Sequence, residues 1–260
     1  MWQRLDEAGQ EQTRMVTVPA FDGGRIRLGL FIPQFSKTPT DDINPTGAGL
    51  VARDMLTALA KRLGLELEIV EHPTPPSAIT SLNEGGCDVL ITGIEPSRIA
   101  LVDFTPTVIQ FDYAYLVPAG SAIKETAEVD QPGHRISVVE GHASWMALKR
   151  VIKSAEIVGR HMPDEAFALV RDGEVDIFAL PREQLLDYAA ELPGSRVLKD
   201  GFGINDVALA VAKGRTDMLA FMTAFVDEAK ASGLIQRILD SADLGARGFN
   251  VGPPRSVHMR

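Results

Sequence analysis

Strand-like and helix-like segments alternate in this chain, and one order of them occurs twice. A strand shows alternating or continuous apolar residues, whereas a helix shows apolar residues three and four positions apart. The first occurrence is strand, helix, strand, helix, strand, at Arg25–Phe31, Ala52–Leu63, Leu65–Ile69, Ser77–Asn83 and Cys87–Thr92. Strands in this order pair in parallel through right-handed helical crossovers. The pattern therefore predicts an α/β lobe built around a parallel sheet.

The second occurrence begins after Pro132 and Gly133. Its elements are Ile136–Val139, Trp145–Lys153, Glu156–Val158, Asp164–Arg171 and Val175–Leu180. The helix-to-strand junctions Asn83–Asp88 and Arg171–Asp176 share an acidic residue, a turn glycine and an aspartate before the strand. Either an internal duplication or the general preference of such junctions for Gly and Asp explains this likeness. Both explanations predict a second α/β lobe similar to the first.

Two elements follow the second lobe, a strand at Val207–Val211 and a helix at Thr216–Ala231. The strand must pair within a sheet and the helix must pack against one. We therefore expect the chain to return to the first lobe, so that two crossings form a hinge. The expected organisation is an N-terminal extension, a discontinuous first lobe, a second lobe and a C-terminal tail, at residues 1–24, 25–115 with 207–244, 116–206 and 245–260.

Composition limits the classes of protein to consider. With 260 residues, 45% of them hydrophobic, the chain has enough apolar side chains for two cores. A formal charge of −9 argues against general nucleic-acid or anionic-membrane binding, because both partners attract basic surfaces. No run approaches the roughly 18 apolar residues that span a bilayer. Residues 1–24 lack the basic start and apolar core of a signal peptide, so either a signal has been removed or the protein is not exported by that route.

Residues that build catalytic or metal sites are few and poorly spaced. No two histidines stand four positions apart, as a helical metal-binding pair requires. They are His72, His134, His142, His161 and His258. The single cysteine, Cys87, is expected to be a small buried apolar residue. No phosphate-binding or nucleophile-elbow motif occurs. We therefore expect no catalytic residues, no metal, no cofactor and a monomeric chain.

One segment, Ile91–Thr105, carries a candidate ligand-binding residue. A buried strand ends at Gly93, and Arg98 follows a proline-containing turn just beyond it, where open α/β sheets bind their ligands. The planar guanidinium donates two parallel hydrogen bonds to a carboxylate. The alternative is a surface cation that pairs with Glu95 or Asp103.

The same segment resembles the signature of the family 3 extracellular solute-binding proteins, the amino-acid-binding components of ABC importers. In that signature a strand leads to Thr-Pro-x-Arg and then to an apolar-Asp/Ala-Phe-Ser/Thr run, and Glu95–Arg98 and Val102–Thr105 fill those places. Further matching segments are Arg25–Phe31, Asp54–Gly64, Val129–Gly133, Val207–Val211 and Lys213–Gly214. The resemblance implies a two-lobed periplasmic-binding-protein fold of type II, a periplasmic location, an ABC permease as partner, and Arg98 as the group that binds the ligand carboxylate.

Two departures from the family pattern bear on the ligand. Gly93 stands where a hydroxyl residue is usual, and Pro181 stands where the family has an aspartate that binds the ligand ammonium. An ammonium desolvated without a partner costs several kcal/mol. We therefore expect a small anionic solute that bears a carboxylate but has no free α-ammonium.

The remaining candidate ligand-binding residues each have a structural alternative. Some follow the first strand and would line the cleft or belong to the lobe core, namely Phe31, Gln34 and Phe35. Others precede a helix in the second lobe and would bind an anion, namely His142 and Ser144, whereas the alternative for Ser144 is the N-cap of that helix. Arg182 or Glu183 would replace the missing aspartate, or would be solvated charges at a helix start.

Two other functions remain open at this point. The fold also resembles cyclohexadienyl dehydratase, an enzyme that would need Glu183 or Glu140 as a general acid. A sensor or an orphan binder that lacks a signal peptide and acts through a partner, in the cytoplasm or the periplasm, is the other alternative.

Overall fold

The computed structural model describes residues 17–31 and 45–253, together with a short antiparallel pairing of Arg4–Leu5 with Glu11–Gln12. The chain divides into two compact units. Unit 1 comprises Met1–Ile109, Val207–Ile238 and Val251–Arg260, and unit 2 comprises Gln110–Asp206 and Leu239–Asn250.

The predicted strands and helices occur in the predicted order, and further elements that were not predicted lie among them. The first are β1 (Arg25–Leu30), α1 (Gly47–Leu63), β2 (Glu66–Glu71), α2 (Pro75–Asn83), β3 (Val89–Gly93), α3 (Pro96–Ile99) and β4 (Val102–Phe104). Next are β5 (Ile109–Val117), β6 (Arg135–Val139), α4 (Ala143–Val151), β7 (Glu156–Arg160), α5 (Pro163–Arg171), β8 (Ile177–Pro181), α6 (Arg182–Glu191) and β9 (Arg196–Val197). The last are β10 (Gly203–Ala212), α7 (Thr216–Ala231), α8 (Leu234–Ser241) and β11 (Asn250–Val251).

The sheet of unit 1 has the strand order β2-β1-β3-β10. Strand β1 is parallel to β2 and to β3, with Leu28 opposite Val89 in the second pair. Strand β10 is antiparallel to β3, and Val207 lies opposite Gly93. The Val207–Val211 segment thus lies in the sheet of unit 1, and the carboxyl ends of β1 and β3 form one edge of that sheet.

The sheet of unit 2 has the strand order β5-β8-β6-β7. Strands β8, β6 and β7 are parallel, whereas β5 is antiparallel to β8. Apolar clusters cover both faces of this sheet. One contains Phe167, Phe178 and Tyr188, and the other contains Tyr115 and Leu148. The fold is therefore mixed α/β, as predicted.

The two units contain the same βαβαβ arrangement with the same register. In each, an arginine amide at the start of the first strand donates 2.8 Å to an aspartate carboxylate, Arg27 to Asp88 and Arg135 to Asp176. Each aspartate amide donates back to the arginine carbonyl, at 2.9 and 3.0 Å. A general preference of helix-to-strand junctions for Gly and Asp does not account for matching strand registers and hydrogen bonds. The structure therefore favours internal duplication.

The copies differ in one length. Asp176 follows Asp88 by 88 residues, but Arg135 follows Arg27 by 108, so the first copy has 20 additional residues between these two positions. They lie between β1 and the end of α1, because Leu63 and Val151, which end α1 and α4, are again 88 residues apart. Some of them lengthen the helix, since α1 has 17 residues and α4 has nine, and the others precede it. Unit 1 thus carries a long connection at the carboxyl end of β1.

The boundaries of the units differ from those expected. Residues 110–115, expected in the first lobe, belong to unit 2, where Ala114 and Leu116 pack with Phe178. The segment Leu239–Asn250, expected as the end of the first lobe and the start of a tail, also belongs to unit 2. Its residues Leu244 and Phe249 are 4% and 2% exposed, so burial of their apolar surface explains the difference. The chain consequently passes between the units four times rather than twice.

Candidate functional site

Arg98 lies in the short helix α3, directly beyond the carboxyl end of β3. Its Nη1 donates to the Thr92 hydroxyl at 2.6 Å and to the Gly93 carbonyl at 3.2 Å. Thr92 is buried, so it supplies a fixed acceptor. The guanidinium is therefore oriented by the last two residues of the strand.

Asp103, one of the two acids considered as a partner of Arg98, has other partners. Its carboxylate accepts from Lys213 Nζ at 2.8 Å and from the Gly214 amide at 2.7 Å. The hydrogen bond from Lys213, followed by that from Gly214, lowers the pKa of Asp103. Asp103 therefore fixes the β4 end to the turn after β10, and this ion pair explains its presence without Arg98.

Phe31 follows β1 and is partly buried against the apolar cluster that contains Leu82, Leu90 and Val102. This contact agrees with the core alternative for Phe31. Gln34 and Phe35, the other two candidates after this strand, lie outside the described residues.

At the carboxyl end of β6, helix α4 begins with His142 as its N-cap. The imidazole Nδ1 accepts from the Ser144 amide at 3.2 Å and lies 2.7 Å from the Ser144 hydroxyl, which is fully buried. Nδ1 thereby supplies the acceptor for an amide at the start of α4. The N-cap of α4 is therefore His142 rather than Ser144.

Arg182 is bound within unit 2. Its Nε lies 2.9 Å from both Asp112 oxygens and its Nη2 lies 2.5 Å from one of them. It also donates to the carbonyls of Leu198 at 2.9 Å and Lys199 at 2.8 Å. These contacts show that Arg182 is not a solvated charge and give it a structural role in unit 2, whereas its assignment to the ligand site stays a prediction. Its partner Asp112 is 70 residues distant, and no local motif indicates the pair.

Pro181 ends β8, is fully buried and pairs with Tyr113 of β5. Two residues later, Glu183 has a side chain that is 17% exposed and lies 3.7 Å from Arg247 Nε. Burial raises the pKa of Glu183 to about 7, although Arg247 opposes the shift. Glu140, by contrast, is about half exposed and lies 3.8 Å from His161. The end of β8 thus offers one buried carboxyl group that already has a cationic neighbour.

Within residues 17–31 and 45–253, no group of three or more His, Cys, Asp or Glu side chains could hold a metal ion. Cys87 is buried, and burial raises the pKa of its thiol to about 11. Among these residues, no helix is both long and apolar enough to cross a bilayer.

Comparison with known proteins decides the family. Residues 33–242 match the family model of the bacterial extracellular solute-binding proteins, family 3. The chain belongs to this family. The prediction drawn from Arg98 and its flanking motifs is therefore confirmed at the level of the family.

Solved structures share the fold of this family 3 protein. A putative ABC transporter binding component from Wolinella succinogenes, complexed with lysine, aligns with a TM-score of 0.70 and 21% identity over 84% of this chain and 95% of that chain. A solute receptor for L-cysteine from Neisseria gonorrhoeae aligns with a TM-score of 0.66 and 22% identity over 85% and 91%. An ancestral amino acid-binding protein, a precursor of cyclohexadienyl dehydratase, aligns at 0.66 with 25% identity over 84% and 94%. The type II periplasmic-binding-protein fold is thus confirmed.

A different architecture appears among the curated relatives. The virulence sensor protein BvgS of Bordetella bronchiseptica is 23% identical over 199 residues, which are 75% of this chain. The chain spans about one sixth of the length of that relative, 16%. The family 3 protein therefore shares its fold with binding proteins of known structure, and part of a much longer sensor is similar to it in sequence.

Proposed function

We propose that this family 3 protein binds a small solute that bears a carboxylate, with Arg98 as the anchor, and presents it to an ABC permease. Its extracellular family supports a location in the periplasm, and we infer that it acts as a monomer. The orientation of Arg98 at the carboxyl end of β3 carries the proposal. Closure of the two units on the solute, through bending of β5 and β10, would complete capture.

The contacts of Arg98 support a carboxylate as the bound group. Nη1 is fixed by the Thr92 hydroxyl and the Gly93 carbonyl, so the plane of the guanidinium is set before a ligand arrives. A fixed plane favours the bidentate hydrogen bonds that a guanidinium makes with a carboxylate, because little further ordering is required. We propose His142 as a second contact for the anion, because it lies at the N-terminus of α4, where a helix favours negative charge.

The acidic groups near the end of β8 argue against a ligand ammonium. Pro181 supplies no carboxylate there, and Asp112 is bound to Arg182. Glu183 is the nearest acid in the sequence, but it is buried beside Arg247 and its pKa is raised to about 7. An ammonium brought to this end of the strand would therefore be desolvated without a free, ionised partner.

We expect a carboxylate without an α-ammonium to bind at least about tenfold more tightly than the matching amino acid, because an unpaired desolvated ammonium costs at least that much. The probes are glutarate against L-glutamate, 6-aminohexanoate against L-lysine, and 5-guanidinopentanoate against L-arginine, measured by calorimetry. Native mass spectrometry of the freshly purified protein would identify the solute it carries. Tight binding of the L-amino acids in preference to their partners would contradict the proposed ligand class.

A dehydratase is the second candidate, and Glu183 is the observation that favours it. A carboxyl group with a pKa near 7 is suited to act as a general acid at neutral pH. One structural neighbour is an ancestral precursor of cyclohexadienyl dehydratase, although it is itself an amino acid-binding protein. We expect no turnover of prephenate or arogenate by the purified protein. Turnover that disappears in Glu183→Gln but persists in the control Glu174→Gln would establish the enzyme instead.

A sensor role is favoured by the likeness to BvgS. Deletion of the gene distinguishes the two uses of a bound solute. Loss of uptake of that solute would support the transporter role, whereas unchanged uptake with an altered transcriptional response would support the sensor.

A further inference from the structure

A thiol and an imidazole approach strand β1 of unit 1 from its two neighbouring strands. His72 directly follows β2, and its amide donates to the Leu30 carbonyl of β1 at 2.8 Å. Cys87 lies shortly before β3, and the amide of the next residue, Asp88, donates to the Arg27 carbonyl of β1 at 2.9 Å. Backbone hydrogen bonds therefore fix both residues beside the same strand.

A glycine in the middle of β1 allows the two side chains to converge. A Cβ atom on Gly29 would lie 2.9 Å from Cys87 Sγ and 3.3 Å from His72 Nε2, and it would overlap the Leu90 side chain. The sulfur and the nitrogen are therefore no more than about 6 Å apart. A residue larger than glycine at this position would displace the thiol.

The imidazole nitrogen that points to this position is buried and available to a ligand. His72 is 8% exposed and Cys87 is 2% exposed. Among the residues that the structure describes, Nε2 of His72 has no hydrogen-bond partner. Buried polar atoms are usually hydrogen-bonded, so an exception calls for an explanation. A ligand that accepts the nitrogen lone pair beside the thiol would supply one.

The surroundings of the thiol favour a bound group that adds no net charge. Cys87 lies in an apolar cluster with Ala78, Ile79, Leu82 and Leu90. The two charged groups that act on the thiol, Arg27 and Asp88, neutralise each other in an ion pair of 2.7 Å. A monovalent cation held by one thiolate and one neutral imidazole forms a neutral complex. A divalent cation would leave a buried positive charge without a partner, which is costly.

We propose that Cys87 and His72 form a two-coordinate site in unit 1 for a soft monovalent cation, Cu(I) or its analogue Ag(I). Thiolate and imidazole are ligands that suit copper, and a soft thiolate selects its monovalent state. Ions of this kind accept a linear arrangement of one sulfur and one nitrogen. Binding breaks the S–H bond of Cys87 and forms one metal–sulfur and one metal–nitrogen bond. The thiol proton passes to the solvent, and the oxidation state of the metal does not change.

The geometry suits two ligands rather than four. With metal–nitrogen and metal–sulfur distances of about 2.1 and 2.3 Å, a linear site places the two atoms about 4.4 Å apart, which is within the limit set at Gly29. A structural zinc site needs four ligands, and in residues 17–31 and 45–253 no third His, Cys, Asp or Glu joins this pair.

The protonation states also fit this ion. Burial raises the pKa of the Cys87 thiol to about 11, whereas the Ser81 hydroxyl and the Gly29 amide favour the ionised sulfur. These two groups would therefore stabilise the thiolate once a metal has displaced the proton. Burial lowers the pKa of His72, so the imidazole is neutral and coordinates through Nε2 with its proton on Nδ1.

Silver nitrate, titrated into the full chain in chloride-free buffer, is the first probe of this site. Native mass spectrometry counts the bound ions, and competition with a chelator of known affinity gives Kd. We expect one ion to bind most tightly. Cys87→Ser and His72→Gln should each weaken its binding by about tenfold or more, because loss of a ligand costs at least as much as loss of a group that orients one. His134→Gln, at a histidine of unit 2, should bind the ion as wild type does.

X-ray absorption of the wild-type protein loaded with one equivalent of Cu(I) under anaerobic conditions gives a second measurement, which decides the question if a variant does not fold. We expect one sulfur and one nitrogen in the first coordination shell. Affinity in His72→Gln equal to that of wild type would show binding by the thiol alone and would overturn the site. So would affinity retained in Cys87→Ser, a shell without nitrogen, or a wild-type protein that binds neither ion.

Discussion

Replacement of Arg98 by alanine is expected to weaken solute binding by roughly 2–5 kcal/mol, about 30- to 5,000-fold in Kd, because one partner of a desolvated charge pair is removed. Arg98→Lys should also bind poorly, since an ammonium keeps the charge but loses the planar fork that matches a carboxylate. Calorimetry with the solute identified by native mass spectrometry measures both effects. The ligand-free protein should lose about 1 kcal/mol of stability or less, because no packed cavity is created.

The control for this prediction is Arg215→Ala in the same unit. Arg215 forms an exposed ion pair with Asp217, at 3.2 Å, and its loss should leave affinity unchanged. An Arg98→Ala variant that binds within about twofold of wild type would refute the anchor assignment. It would also remove the main support for an anionic ligand.

Arg182→Met is expected to destabilise unit 2 by about 2–4 kcal/mol. It leaves Asp112 without its cation and two carbonyls without their donor, and the loss of one partner of a buried pair is costly. The Arg182 and Asp112 side chains are only 16% and 25% exposed, so water replaces the lost contacts incompletely. Arg171→Met, which breaks an exposed pair with Asp172, should cost about 0.5 kcal/mol or less.

Urea unfolding monitored by Trp145 fluorescence measures this effect in unit 2 itself. The chain has two tryptophans, and Trp2→Phe removes the signal from the other one. A midpoint for Arg182→Met equal to that of Arg171→Met would contradict the structural role. Normal stability with lost solute binding would return Arg182 to the ligand site.

Local sequence patterns predict much of the fold, because strands and helices of the repeated arrangement are decided by nearby residues. The position of Arg98 beyond β3 was also predictable, because this prediction requires only that the end of one strand and the following turn be recognised in the sequence. The partner of Arg182 was not, because Asp112 lies 70 residues away on another strand and no local pattern connects the two. Leu244 and Phe249 are buried in an irregular segment, so they lack the period that would indicate burial.

The N-cap of α4 illustrates a different limit. Serine is a common N-cap and histidine is not among the preferred residues, so the sequence favoured Ser144. The imidazole of His142 instead accepts the amide hydrogen bond, and the serine becomes buried beneath it. Propensity is a weak guide when a less common residue can supply the same acceptor.

The two βαβαβ copies keep the same hydrogen-bonded pairs at the amino ends of their strands but have different residues at the carboxyl ends. Arg27 with Asp88, and Arg135 with Asp176, join strands at their amino ends. The opposite ends have diverged: Gly93 of the first copy corresponds to Pro181 of the second, and Arg98 corresponds to Leu186 at the same offset of 88 residues. We therefore expect that mutations at the carboxyl ends change ligand specificity and leave the Arg–Asp hydrogen bonds at the amino ends intact. A scaffold arranged in this way can acquire new specificities without first being made more stable.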